Sequence, residues 1–203
     1  QFGAFITESS GHLSEYLPFY RKRKDLIDKY CGAGYNGGTS FYADNWPKWR
    51  QDGDMWRTEF ANGEHQDWEV KRSWEYCSYV IEAIEMNRPF VMYSTVPNTG
   101  LISNLPQDGV VEVACHCDKN GVVPTYYGAL PPQMAAICDW NMRCYELAAQ
   151  ACIDFDLEKA IYAMMLDPNT ASACSPEEIR KMAKELFTAE KKWLDTRFYK
   201  KVK

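Results

Sequence analysis

Hydrophobic positions along the chain form helix-period stripes on either side of a short β-rich middle. Val70, Trp74, Cys77, Ile81 and Ile84 repeat at steps of four, three, four and three. This spacing predicts one helix over about residues 66–86, stopped by Asn87 and Arg88-Pro89. Phe90 to Tyr93 reads as a short strand, followed by turn residues at Pro97-Asn98-Thr99-Gly100 and again at Leu105-Pro106-Gln107-Asp108-Gly109. The β-branched run Val110 to Cys115, the turn Asp118-Lys119-Asn120-Gly121 and Val122-Val123 predict an antiparallel hairpin.

Helical spacing returns with Met134, Cys138, Asn141, Tyr145, Ala148 and Cys152, predicting a long helix over about residues 132–151. Leu157, Ile161, Met164 and Met165 predict a shorter helix ending near Asp167-Pro168. Ser175-Pro176-Glu177-Glu178 supplies an N-cap, a proline at the first helical position and an acidic partner three residues on. The helix it opens carries the stripe Ile179, Met182, Ala183, Leu186, Trp193 and Leu194.

Two regions lack such order. Residues 1–30 read as an apolar opening, a polar loop around Glu8 to His12, and the aromatic group Tyr16, Phe19 and Tyr20, with Pro18 preventing one continuous helix. Residues 32–66 alternate glycines with Trp46, Trp49 and Trp56, which predicts an irregular Trp-rich excursion holding one short helix. Its aromatics need cover from the main body, another subunit or a partner.

With 203 residues the chain can bury a core without disulfides, as one domain with an appendage or as two small ones. Its net charge of −5 excludes a general nucleic-acid backbone binder. The basic run Arg21-Lys22-Arg23-Lys24 is offset by Asp25 and Asp28, leaving either a solvated surface or a local anion contact. No apolar run is long enough to cross a membrane, and the opening lacks a signal-peptide pattern. Several of the eight cysteines fall on apolar periods, so reduced thiols in a cytoplasmic protein are expected.

His12 is one of three histidines and stands between Gly11 and an acidic, aromatic stretch, as a ligand contact or an ordinary hydrogen-bonding residue. Cys115-His116-Cys117 resembles a zinc donor set, but strand alternation sends the cysteines to one face and the histidine to the other. Glu112 interrupts its strand and either faces water or enters a site. Glu15 and Tyr16 can move protons, and Asn98 can bond a polyhydroxylated ligand in both directions. Dinucleotide, Walker, zinc-finger and nucleophile-elbow motifs are absent, so the residues alone lead to an α+β module.

Two longer motifs go further: Ile6-Thr7-Glu8-Ser9-Ser10-Gly11-His12-Leu13-Ser14-Glu15-Tyr16 and Val96-Pro97-Asn98-Thr99-Gly100-Leu101-Ile102-Ser103-Asn104-Leu105-Pro106. With Val111-Glu112-Val113, Gly128-Ala129-Leu130-Pro131 and Asp167-Pro168, they make residues 4–185 resemble the C-terminal half of family 4 glycoside hydrolases, of the α-galactosidase and α-glucosidase type. The resemblance implies a fold like the C-terminal domain of lactate and malate dehydrogenases. It also implies a missing N-terminal Rossmann-like domain, since the family's nucleotide loop and its Cys-His-Ser and Asn-His metal motifs lie upstream. The family oxidises the sugar at C3 with NAD, removes the acidified C2 proton while a divalent metal, commonly Mn²⁺, offsets the enediolate charge, and eliminates at C1. On this resemblance Tyr16 is the base. His12, Glu15 and Arg21 bind substrate, and Asn98 positions sugar or cofactor. The expected substrate is an unphosphorylated α-galactoside, with α-glucosides, α-galacturonides or a non-catalytic sugar-binding or assembly role as alternatives, in a homo-oligomer.

Overall fold

The computed structural model describes residues 2–4, 10–31, 41–64, 69 and 71–199, excluding the side chains of Ser10 and Gly11. Its elements run α1 (Ser10–Tyr16), α2 (Lys24–Tyr30), α3 (Phe41–Ala61), α4 (Cys77–Met86), β1 (Phe90–Pro97), β2 (Val110–Asp118), β3 (Gly121–Pro124), α5 (Pro132–Asp154), α6 (Leu157–Leu166), α7 (Pro168–Ala173) and α8 (Pro176–Ala189), with a 3₁₀ turn at Thr196–Tyr199. They form two compact units. One comprises residues 1–39, 103–109 and 129–203; the other comprises residues 40–102 and 110–128. Among the described residues no helix is long and apolar enough to cross a membrane.

The second unit is built on an antiparallel sheet of order β1-β2-β3. Asp118 pairs with Gly121 across the predicted turn, where Gly121 takes φ +102° and Asp118 accepts from the Asn120 amide at 2.7 Å. Alternation then sorts the side chains. Met92, Val111, Val113, Cys115 and Cys117 are buried, whereas Val91, Tyr93, Glu112 and His116 face outward. Cys115, His116 and Cys117 thus divide between faces as their spacing requires, and Glu112 faces water. Helix α4 covers the buried side with Ala83, which is 0% exposed, and with Tyr79, whose ring stacks on Phe90 at 5.2 Å.

The structure corrects two readings in this unit. Helix α4 starts at Cys77, so Trp74 lies outside it and is exposed, while Val70 lies outside the described residues. Ile81 and Ile84 point to solvent because the small Ala83 allows the closest approach to the sheet. Residues 41–61 form not a short helix but one of 21 residues, running through Pro47 and Gly53. Side-chain pairs one turn apart, Lys48–Asp52 at 2.9 Å and Asp54–Arg57, support it on the polar side. The first part of the expected excursion, residues 32–40, lies outside the described residues.

The first unit is helical. Helices α5 and α6 pack along each other, and Cys144 places Sγ 3.3 Å from the Ala163 carbonyl. Buried positions on α5 are Cys144 and Ala151, one residue before the expected Tyr145 and Cys152, so the stripe is rotated by one position in its second half. Asp156 caps α6, and Asp167 caps α7, a helix the apolar pattern did not indicate. Ile161 and Ile179 are at most 2% exposed and form the centre of this core, whereas Trp193 lies beyond the end of α8 and is exposed. All eight cysteines are free thiols.

Helix α8 opens with the predicted capping box. Ser175 Oγ accepts from the Glu178 amide at 3.3 Å, and Glu178 accepts from the Ser175 amide at 2.7 Å. The Ser175 amide first, and its hydroxyl second, hold the Glu178 carboxyl below its ordinary range. Ser175→Ala should cost about 1 kcal/mol in denaturant unfolding. Because the folded-state pKa is depressed, Glu178 stabilises the fold above the unfolded carboxylate range and loses that effect as pH falls through the folded value. The stability gap between the parent and Glu178→Gln should therefore be open at neutral pH and close in strong acid.

Candidate proton-transfer and substrate site

From Ser10 onward the segment expected as a polar loop folds into α1, which turns part of a sequence motif into a face, while Glu8 and Ser9 lie outside the described residues. His12 and Glu15 stand one turn apart, with His12 Nδ1 2.9 Å from Glu15 Oε2. The chain reverses after Tyr16, where Leu17 is buried and Pro18 ends the helix, and Arg21 returns beneath α1. Arg21 Nε donates to Ser14 Oγ at 3.0 Å, and its Nη2 lies 3.6 Å from Glu15 Oε1. Ser14 is 2% exposed, so the Arg21 contact anchors the helix from inside. The structure therefore brings Arg21, Glu15 and His12 together as one braced set.

Tyr16 lies at the C-terminal end of this helix and is 40% exposed. Helix α1 packs against α7, whose cap Asp167 accepts from the Thr170 amide at 2.7 Å. The Tyr145 phenol is pushed above its ordinary value, first by burial of its ring end and then by Tyr16, Cys144 and Asp167. Tyr145 is thus a neighbour of Tyr16, although its sequence spacing suggested only a buried stripe position. Its exposure, which only the placement of α5 reveals, makes it part of the site.

Further along the basic run, Arg23 pairs with Asp25 at 2.9 Å and Lys24 with Asp28 at 2.8 Å. These exposed pairs contribute little stability. Arg21 differs because its side chain is 14% exposed and it engages both Ser14 and Glu15. Arg21→Lys keeps the charge but loses the planar fork. We expect a loss of about 1–2 kcal/mol in denaturant unfolding, with faster amide exchange in α1.

Asn98 belongs to the other unit and is 0% exposed. Its Nδ2 donates to the Ile102 carbonyl at 3.0 Å, and its Oδ1 accepts from the Ile102 amide at 2.9 Å. It closes the loop after β1, where Gly100 takes φ +88°. Asn104 clamps Leu130 in the same manner, donating at 2.8 Å and accepting at 2.9 Å. Both asparagines of the second motif are therefore backbone clamps.

A helical unit carrying a braced His-Glu-Arg set beside an exposed tyrosine, and a unit built on a three-stranded antiparallel sheet, give the chain an α+β fold. The family model for the family 4 glycosyl hydrolase C-terminal domain matches residues 1–170, and the chain belongs to that family. It is 37% identical to an alpha-galactosidase of Bacillus subtilis over 96% of this chain and 44% of that protein. It is 33% identical to an alpha-galactosidase of Rhizobium meliloti over 96% of this chain and 40% of that one. The chain thus spans less than half the length of these curated relatives. Among solved structures, lplD from Bacillus subtilis superposes with TM-score 0.59 at 20% identity, covering 87% of this chain and 48% of that chain, a likeness of fold. A 6-phospho-alpha-glucosidase from gut microorganisms, solved with NAD and glucose-6-phosphate, gives TM-score 0.52 at 25% identity over 58% of this chain and 26% of that chain.

Proposed function

We propose that this chain is the substrate-binding and proton-transfer part of an NAD- and divalent-metal-dependent α-glycosidase acting on α-galactosides. The observation that carries the reading is Tyr16, half-exposed at the end of a helix whose His12 and Glu15 are braced by Arg21. Identity to two alpha-galactosidases favours galactosides over glucosides, galacturonides and phosphosugars.

In this reading Tyr16 removes the proton at sugar C2, and His12 and Glu15 bind sugar hydroxyls or line the metal's surroundings. Arg21 holds Glu15 in place while remaining within reach of a polar substituent. Asn98 contributes by fixing the 97–102 loop through its two bonds to Ile102. Among the described residues no group of three or more His, Cys, Asp or Glu side chains could hold a metal ion. The His12–Glu15 pair alone falls short of a divalent cation's ligand shell, so these residues do not hold the cation by themselves. Both cofactors are assigned to an enzyme completed by a Rossmann-like half, where NAD supplies C3 oxidation and the cation offsets negative charge. A homo-oligomer is part of the same proposal.

The test is hydrolysis of p-nitrophenyl α-galactoside by the chain joined to a family N-terminal half. Turnover that requires NAD, Mn²⁺ and reductant, with slower release from the α-glucoside, supports the reading. Turnover indifferent to NAD overturns it.

A further inference from the structure

Residues 103–107 and the first half of α5 enclose a cavity of about 510 Å³ that the catalytic reading does not use. Both walls belong to the helical unit. Among the described residues Ser103, Asn104 and Pro106 line it from the loop, and Ala136, Asp139 and Arg143 line it from the helix. Its volume falls within the roughly 300–1,000 Å³ of small-molecule sites.

The cavity is held open by the fold. At one end of the loop Asn104 bonds the amide and the carbonyl of Leu130, just before α5 begins, at 2.9 and 2.8 Å. At the other end a Cβ added to Gly109 would collide with Met142 Cε on α5. The loop is thus tied to the helix on both sides of the cavity, and space remains between them because Ala135 and Ala136 present only methyl groups. Helix α5 also separates this cavity from the neighbourhood of Tyr16. Cys144 and Ala151 face the core. At about 100° per residue, Ala136, Asp139 and Arg143 lie on one side of that buried row and Tyr145 on the other.

The polar groups read as a hydroxyl-binding set. Arg143 Nη1 lies 3.0 Å from Glu146, and its Nε stands 3.4 Å from Asp139 Oδ1. The second separation exceeds the usual hydrogen-bond range of about 2.7–3.2 Å, so a carboxylate acceptor and a guanidinium donor stand side by side with capacity to spare. Two adjacent hydroxyls, each able to donate and accept, match such a pair. The Ser103 hydroxyl adds a third polar group, and the Pro106 ring with the alanine methyls offers an apolar wall to a C–H face. Charge then narrows the class of ligand. Glu146 first, and then Asp139 and Asp108, hold the Arg143 guanidinium above its ordinary value. Three carboxylates around one cation disfavour a phosphate or carboxylate on the ligand. We propose that this cavity is a second, non-catalytic site for a neutral sugar, an unphosphorylated hexoside whose vicinal hydroxyls are bonded by Asp139 and Arg143.

The test is an NMR titration of the 203-residue chain with methyl α-galactoside and, separately, with galactose 6-phosphate. The expected result is saturable millimolar binding of the neutral sugar, with shifts at Ser103, Asn104, Asp139 and Arg143, and binding of the phosphosugar about tenfold weaker or less. Ala136 is exposed, so Ala136→Trp can fill the cavity without entering the core, and it should abolish these shifts. Asp139→Asn should weaken the neutral sugar about tenfold and narrow the gap to the phosphosugar. Tyr16→Phe should leave the titration unchanged. No shift in residues 103–107 or the first half of α5 at about 50 mM sugar overturns the proposal, as do shifts indifferent to Ala136→Trp or a phosphosugar that binds as well as the neutral one. Shifts confined to residues 12–21 also overturn it, and leave the catalytic reading of Tyr16 standing.

Discussion

Replacing Tyr16 by phenylalanine is expected to cut turnover of the completed enzyme by about 10²- to 10⁴-fold, the range over which a positioned proton-transfer group acts. The ring stays, so Leu17 remains buried and the Arg21–Ser14 contact beneath α1 is retained. Unfolding midpoint and NAD affinity should therefore barely change, and the loss should fall on kcat rather than KM. Burial and its neighbours push the Tyr145 phenol above its ordinary value, which makes it the poorer proton acceptor of the two. Tyr145→Phe should accordingly cost far less than Tyr16→Phe. Near-parent turnover for Tyr16→Phe would place the base elsewhere and leave Tyr16 as an aromatic wall.

Asn98→Ala is expected to produce the largest stability loss among the site residues, about 2–4 kcal/mol, since it removes two buried hydrogen bonds that hold Ile102 in its loop. Stabilities of ordinary domains span about 5–15 kcal/mol, so such a loss should lower the unfolding midpoint by many degrees. The parent midpoint with a raised KM would instead mean that Asn98 serves a ligand, as its motif position suggested, and not the loop.

Much of the fold was legible where the signal is local. The capping box at Ser175, the turn before Gly121 and the alternation through Cys115, His116 and Cys117 each depend on residues a few positions apart. Readings that depended on packing fared worse. On α4 and α5 two adjacent rows were both apolar, and the row facing inward was set by whichever small side chain let a neighbour approach, Ala83 in one case and Cys144 in the other. Helix α3 was misread for a different reason. The glycines, Gly53 among them, read as interruptions, although the aromatics around Gly53 keep helical time over five turns.

Of the candidate site, the motif marked His12, Glu15 and Tyr16, with Arg21 downstream of it, and the structure adds how Arg21 braces His12 and Glu15 through Ser14. Tyr145 was hidden because its nearness to Tyr16 arises only when α1 and α5 fold into one unit. Asn98 had the right chemistry for a sugar contact, but its hydrogen-bonding groups are turned to its own loop.

The central claim, that the completed enzyme breaks the glycosidic bond through loss of the C2 proton to Tyr16, is tested most directly by running α-galactoside hydrolysis in D₂O and locating deuterium in the released galactose. Proton removal at C2 followed by water addition must return a solvent hydron to that carbon, so the account predicts deuterium at C2 and its loss in step with turnover in Tyr16→Phe. Galactose released without deuterium at C2 would contradict it.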